Sequence, residues 1–175
     1  MANVFVISDT HFGHESSLRW LREDGVTKVR EFQNLTEMNQ LMIDNWNKTV
    51  GPLDKVYHLG DVAMNRRYLN TLFALNGRKV LIKGNHDIFK LEDYKHFFYD
   101  IRAYHVLDKF IFSHIPIHPE QIDKFKGNVH GHLHERRILD KSGNFDVNYM
   151  SVCVEQVNYT PVELSVIQKH FSSLT

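Results

Sequence analysis

The sequence predicts an α/β protein, and three observations carry that class. Short β-branched and aromatic runs alternate with segments of helical period through the first half of the chain, while the second half turns to short strands in succession. The apolar runs also break off into polar residues of metal-ligand type, and the carboxyl ends of strands are where α/β sheets place their chemistry. The central case is Val80-Leu81-Ile82-Lys83, which leads directly into Gly84-Asn85-His86-Asp87. Alone, that tetrapeptide reads as a turn, since Gly, Asn and Asp each tolerate turn geometry. The same arrangement recurs, however, where residues 4–8 run into Asp9-Thr10-His11, residues 55–59 into Gly60-Asp61, residues 110–113 into His114, and in Val129-His130-Gly131-His132-Leu133-His134.

In chain order, residues 3–8 form the first strand. Residues 12–35 show no sustained period and contain Gly13, Gly25 and several charges, which predicts a long loop with a short helix near residues 17–21. Loops of that length in a compact domain tend to be functional. Thr36 stands where a cap is needed for a helix whose Met38, Leu41, Met42, Trp46 and Val50 recur at helical spacing, so this stripe belongs to the core. Gly51-Pro52 stops it. Residues 55–59 make a strand, and 65–75 a helix with Tyr68, Leu69, Leu72 and Phe73 inward, closed by Asn76-Gly77. After the strand at 79–83 comes a short aromatic helix at 91–98. Residues 100–106 and 109–112, separated by Leu107-Asp108, are expected to pair as a hairpin, with strands at 128–130, 145–149 and 151–157 to follow. Thr160-Pro161-Val162-Glu163 supplies a cap, a proline at the first helical position and an acid three residues after the cap, opening a helix that ends near Phe171.

Composition bounds the function. The 175 residues are 42% hydrophobic, with 21 basic and 21 acidic side chains and no long like-charge block. Those values fit one domain over residues 1–175 and disfavour a surface that grips nucleic acid by bulk positive charge. The single Cys153 excludes an internal disulfide and agrees with a reducing cytosol. With 12 histidines, any metal site must use imidazole and oxygen ligands. There is neither a basic leader nor an apolar stretch near the roughly 20 residues a membrane span needs, so a soluble cytoplasmic protein is expected.

Asp9 and His11 are two apart, a spacing that on an extended segment sends both side chains to one face, and His132 and His134 repeat it. Together with Asp61, Asn85 and His114 they make two carboxylates, one amide oxygen and four imidazoles. Two metal ions need about that many protein ligands if one carboxylate bridges and water fills the open positions.

In this order the residues resemble the calcineurin-like metallophosphoesterases, whose pattern is D-x-H, GD, GNHD, H and GHxH. The matches are Asp9-Thr10-His11, Gly60-Asp61, Gly84-Asn85-His86-Asp87, His114 and Gly131-His132-Leu133-His134, with no ligand position missing. The resemblance runs over residues 4–134, and residues 151–161 look like the small bacterial and phage-type members. It implies a four-layer α/β/β/α sandwich with two divalent transition-metal ions at one edge of the paired sheets. Asp9, His11 and His134 would hold the first ion, Asn85, His114 and His132 the second, and Asp61 would bridge them. The mixed nitrogen and oxygen set suits Mn first, with Fe, Zn or Ni as alternatives, better than Mg. The implied reaction is hydrolysis of a small phosphodiester or phosphomonoester, nucleotide-like in kind and with the diester slightly ahead, by in-line attack of a metal-bridging hydroxide.

His86 has no metal assigned to it, and the family's corresponding His contacts the phosphoryl oxygen or protonates the leaving group. His86 and Asp61 are therefore the catalytic candidates, and Asn85 and His86 the substrate-binding ones. Asp87 either orients His86 or caps the next segment. His14, Arg30, Arg66 and Arg67 lie in loops as solvated surface or as phosphate contacts. His58 and His130 are placed as imidazoles that support ligands, Cys153 as a small buried hydrophobe, and Phe97, Phe98 and Tyr99 as core or rim aromatics. The alternatives are a protein phosphatase or nuclease of the same superfamily and a non-catalytic metal-binding scaffold. A scaffold should have lost ligands or His86, a nuclease should carry a basic stripe, and a protein phosphatase should carry a docking groove beyond the sandwich. None of those features is present, which leaves a small phosphate ester as the expected partner, with oligomeric state open.

Overall fold

Strand β1 (Val4–Ile7) is buried on both sides, which is why its sequence is a continuous apolar run and not an alternating one. Phe5 and Ile7 pack toward a layer of helices, whereas Val6 packs toward a second sheet. The same division holds in β2 (Lys55–His58) and β3 (Arg78–Ile82), where Val56 and Leu81 face the helices and Tyr57, Val80 and Ile82 face the other sheet. These three strands are parallel. With β4 (Asp100–Arg102) at one edge and the antiparallel β9 (Val162–Glu163) at the other, they form a five-stranded sheet of order β4-β3-β2-β1-β9. The smaller sheet runs β5 (Tyr104–Leu107), β6 (Phe110–Ser113), β7 (Gly127–His130) and β8 (Tyr149–Ser151), parallel except for β5. The computed structural model describes residues 2–172.

Helix α1 (Leu35–Thr49) lies on the outer face of the larger sheet. Its cap is Asn34, not Thr36: the Asn34 side chain accepts from the Glu37 N–H at 2.9 Å, and Thr36 falls inside the first turn. Met38, Met42, Trp46 and Val50 recur at steps of four and are buried, but Leu41 lies off that narrow stripe and is exposed. Residues Arg66–Ala74 form a 3₁₀ helix, and its period of three puts Leu69, Leu72 and Leu75 on one buried line. Phe73 is thereby rotated outward to 71% exposure, against expectation. The aromatic helix is shorter than its composition suggests, reduced to α2 (Leu91–Tyr94) and a turn. Helix α3 (Leu164–Ser172) contacts β1 and β9 of the larger sheet and sends Ile167 and Phe171 into the core between the sheets, with Phe171 stacked on Phe110 at 5.1 Å. A 3₁₀ helix, Pro119–Lys124, lies against β7. Helices thus flank two stacked sheets, the α/β/β/α arrangement expected.

Three strand assignments change, each for an identifiable reason. Residues 100–106 are two strands, because the chain crosses at Ala103 from β3, which β4 pairs, to β6, which β5 pairs. The hairpin turn is Asp108-Lys109, whose φ values of 51° and 70° are the left-handed pair that a two-residue turn between twisted strands requires. Residues 145–149 and 151–157 contribute only β8. Beyond it the chain passes between the sheets: Val152 N–H donates to His130 O at 2.8 Å, and Val152 O accepts from Ser8 N–H at 2.9 Å. Finally, Thr160 is not a helix cap: its Oγ1 donates to Asn158 O at 2.9 Å. Val162 and Glu163 instead pair with Val6 and Phe5, meeting the hydrogen-bonding groups along the free edge of β1, and the helix starts only at Leu164.

Candidate metal centre

Because β1, β2 and β3 are parallel, as are β6 and β7, their carboxyl ends gather at one edge of the stacked sheets. Every candidate ligand lies just beyond one of those ends. Five of the seven have left-handed backbone: φ is 60° at Asp9, 47° at His11, 55° at Asp61, 71° at His132 and 53° at His134. Such conformations cost a non-glycine residue about 1–3 kcal/mol each and persist only where the surroundings over-determine them. Asp9 and His11 therefore converge through left-handed bends and not through the alternation of an extended strand. Backbone hydrogen bonds hold the bends, with Asp9 N–H on Gly60 O, His11 N–H on Asp61 O and Phe12 N–H on Val62 O, all within 3.0 Å.

Asp87 neither orients His86 nor caps a helix. It is buried, and its Oδ2 accepts from the N–H of Asp61 and of Gly84, both at 2.8 Å, while Oδ1 accepts from Val62 N–H at 3.0 Å. One carboxylate thus ties the Gly84–Asp87 turn to the loop that carries Asp61. The glycines of two motifs are explained by close approach. A Cβ on Gly84 would lie 2.3 Å from Asp61 Oδ1, and one on Gly131 would lie 2.1 Å from Ser8 Oγ and 2.4 Å from Asp9 Oδ2.

The side chains meet as follows. His11 Nε2 stands 3.6 Å from both Asp9 Oδ1 and Asp61 Oδ2, and the same Asp61 oxygen is 3.5 Å from His114 Nε2. His134 Nε2 is 3.9 Å from Asp9 Oδ1. The ring of His132 lies edge-on to His114 at 5.2 Å, and the backbone N–H of His132 donates to Asp9 Oδ2 at 2.9 Å. Two sets, Asp9 with His11 and His134 and Asp9 with Asp61 and His114, each offer ligand atoms within 4.8 Å of one another. Asp9 is shared by both sets, and Asp61 Oδ2 stands between His11 and His114.

Three features of the donor set call for a cation. Asp9 Oδ1 and both ring nitrogens of His11 are buried without a hydrogen-bond partner, a costly state for polar atoms. Burial pushes the His11 imidazole down to about 4, so near neutrality it presents a lone pair. His114 Nδ1 faces Leu59 O at 2.7 Å; a carbonyl only accepts, so this nitrogen carries the proton. Its Nε2 then meets Asn85 Oδ1 at 2.8 Å, two acceptors that need a proton or a cation between them. Burial raises the Asp61 carboxyl. At Asp9 burial acts the same way, but the facing His11 and the other surrounding imidazoles outweigh it and draw the carboxyl well below its usual range.

The supporting residues are partly those expected. His58 is buried and pushed down to about 3 by desolvation; its Nδ1 accepts from Gly60 N–H and its Nε2 donates to Thr10 Oγ1, which in turn donates to Val62 O. His130, also buried, bonds its neighbour Gly131 O. Cys153 is buried with Sγ 3.3 Å from Asp9 Oδ2. His14 joins the site, 5.3 Å ring to ring from His11. Arg30 does not face solvent or substrate: it is fully buried, donating to Asp9 O, Thr10 O and Glu155 Oε1. Arg66 is exposed and pairs with Asp93, and exposed Arg67 lies over the Tyr68 ring. Phe98 is core, Phe97 packs on Phe73, and Tyr99 sits at the start of β4, at the far end of the sheet from the ligands. Two residues were not identified from sequence, Trp20, which stands edge-on to His11, His14 and His134, and Glu155, which bonds His134 Nδ1 at 2.9 Å.

Stacked sheets with helices outside, and at one edge a cluster of carboxylates and imidazoles suited to divalent metal, define a metal-dependent phosphoesterase. Family comparison agrees: the chain belongs to the calcineurin-like phosphoesterases, which it matches over residues 2–170. It is 33% identical over 174 residues to the uncharacterized protein MJ1445 of Methanocaldococcus jannaschii, covering 97% of this chain and 91% of that one. It is also similar to the crystal structure of AQ665, a protein of unknown function from Aquifex aeolicus, with a TM-score of 0.74, 28% identity and coverage of 97% of this chain and 99% of that one. Among the described residues, no helix is long and apolar enough to cross a membrane.

Proposed function

We propose that the chain hydrolyses a small phosphate ester, a diester ahead of a monoester, at a centre of two divalent ions with Mn the first choice, working as one domain in the cytoplasm. The observation that carries this reading is the position of Asp61 Oδ2, within 3.6 Å of imidazoles delivered from two different sheets. Asp9, His11 and His134 would hold one ion, Asn85, His114 and His132 the other, with Asp61 between them. Such a pair supplies a water of lowered pKa and a clamp on the attacking and leaving oxygens. The protein supplies the rest. Two carboxylates leave the pair with excess positive charge, which draws a phosphate anion. Asn85 adds a ligand oxygen without adding charge. His86 is exposed, and its backbone N–H donates to Asp61 Oδ1 at 2.8 Å, so the residue is fixed to the bridging carboxylate while its ring remains on the open side. That ring lies 5.6 Å from the His11 ring, where it can hand a proton to a departing oxygen.

Elemental analysis of protein purified without chelators should approach two equivalents of transition metal, and the Mn-loaded protein should hydrolyse members of a panel of mono- and diesters, nucleotides and cyclic nucleotides. Saturation at one equivalent would sink the two-ion reading. Two equivalents with no turnover on any panel member would favour the scaffold.

A further inference from the structure

We propose that Arg30 and Glu155 form a buried positioning pair that fixes the tautomer and direction of His134, and so sets metal affinity at the Asp9, His11, His134 position independently of the Asn85, His114, His132 position. The inference rests on the two-position reading above. Arg30 is 0% exposed and the Glu155 side chain 3%, and they meet with Arg30 Nε 2.7 Å from Glu155 Oε1. A guanidinium does not give up its proton in a protein, so the carboxylate beside it is held ionised. An ionised carboxylate only accepts. The His134 Nδ1 that faces the same Oε1 at 2.9 Å must therefore carry a ring proton, so that in the neutral ring the lone pair falls on Nε2, on the side of Asp9 Oδ1. The other arms of Arg30 donate to Asp9 O at 2.7 Å and Thr10 O at 3.2 Å, holding the left-handed bend that aims Asp9 and His11.

One guanidinium thus braces Asp9 through its own carbonyl, His11 through the carbonyl of the preceding Thr10, and His134 through Glu155. The other position is held differently: His114 is fixed by Leu59 O and His132 by its backbone N–H on the Asp9 side chain, and no hydrogen bond among the described residues joins Arg30 or Glu155 directly to Asn85, His114 or His132. A buried ion pair contributes little to stability compared with an apolar replacement of similar volume, so its place against the site is explained by what it holds. Hydrogen bonds that orient a ligating imidazole typically change metal affinity by about 10–100-fold.

The test combines two readings on the whole chain. Nitrogen NMR of the metal-free protein, at a pH high enough for the ring to be neutral, reports the His134 tautomer, and a competition titration with Mn reports each equivalent. Glu155→Leu should release His134 from the Nδ1–H tautomer and weaken one equivalent by about 10–100-fold with the other unchanged. Glu155→Gln, which keeps an acceptor oxygen, should restore most of both. If Glu155→Leu fails to fold because the Arg30 charge is left unpaired, Arg30→Met/Glu155→Leu removes both charges and should give the same two results. An unchanged tautomer overturns the proposal, as does equal weakening of both equivalents or of neither. If the wild-type protein binds fewer than two equivalents, the two-position reading fails, and the tautomer arm still decides whether the pair positions His134.

Discussion

Asp87→Asn tests whether the last residue of the central tetrapeptide is a clamp on the Asp61 loop. The carboxylate accepts three backbone N–H groups, two on Oδ2 and one on Oδ1, all within 3.0 Å. Hydrogen bonds to a charged group are worth about 1.5–3 kcal/mol each, and neutral ones about 1 kcal/mol. Asparagine can keep the two Oδ2 bonds as neutral ones by turning its oxygen that way, but its amide then faces the Val62 N–H, donor against donor. By those values the net loss is at least about 2.5 kcal/mol, and in a chain of this size each kcal/mol shifts Tm by about 2–4 °C, so Tm should fall by at least about 5 °C. Thermal unfolding followed by circular dichroism is the assay, on metal-free protein so that bound ions do not mask the change. A shift under about 2 °C, together with a turnover loss matching that of His86→Ala, would show that Asp87 acts on His86 and that the clamp argument is wrong.

His86→Ala should reduce hydrolysis of an alkyl or ribose ester by about 10²–10⁴-fold and an activated aryl ester far less, with metal content unchanged; equal losses would argue against proton donation. In metal-free protein His58 is held neutral down to about 3 when folded but titrates near 6.5 when unfolded, so the unfolded state binds the extra proton between those values. Its contribution to stability is present above pH 6.5 and is lost as pH falls, at up to about 1.4 kcal/mol per pH unit, and urea denaturation of His58→Gln should show a flatter profile across that window. Gly131→Ala would press a methyl group into Asp9 Oδ2 and Ser8 Oγ, so one Mn equivalent should weaken in titration; unaltered binding of both would mean that the loop yields freely.

The ligand motifs were legible because each is a few residues long and follows an apolar run that can only be a strand. What brings them together was less legible. The spacing of Asp9 and His11 suggests a shared face, yet the structure achieves it with two left-handed residues, a choice that no local propensity announces and that only the hydrogen bonds to the residue 60–62 loop enforce. Arg30 looks like surface because its loop has no period, and its partner lies 125 residues away. Glu155 did carry a signal: it is a polar group at the exit of the apolar run Val152-Cys153-Val154, the same context that marks Asp9, Asp61 and His114. Reading 151–157 as one strand hid it.

The strand wrongly expected over residues 151–157 and the missed Glu155 have one cause. Residues 152–154 belong to neither sheet by pattern, since they are apolar enough for either, and the chain uses them to join the two. The crossing places Cys153 against Asp9 and Glu155 against His134. It therefore fixes the spacing between the larger sheet, which delivers Asp9, His11, Asp61 and Asn85, and the smaller one, which delivers His114, His132 and His134. A site split in this way depends on the seam between the sheets more than on either sheet alone. The polar groups of the site are correspondingly densest there, where Ser8, Asp9, His130 and Glu155 are all buried within a few residues of the crossing.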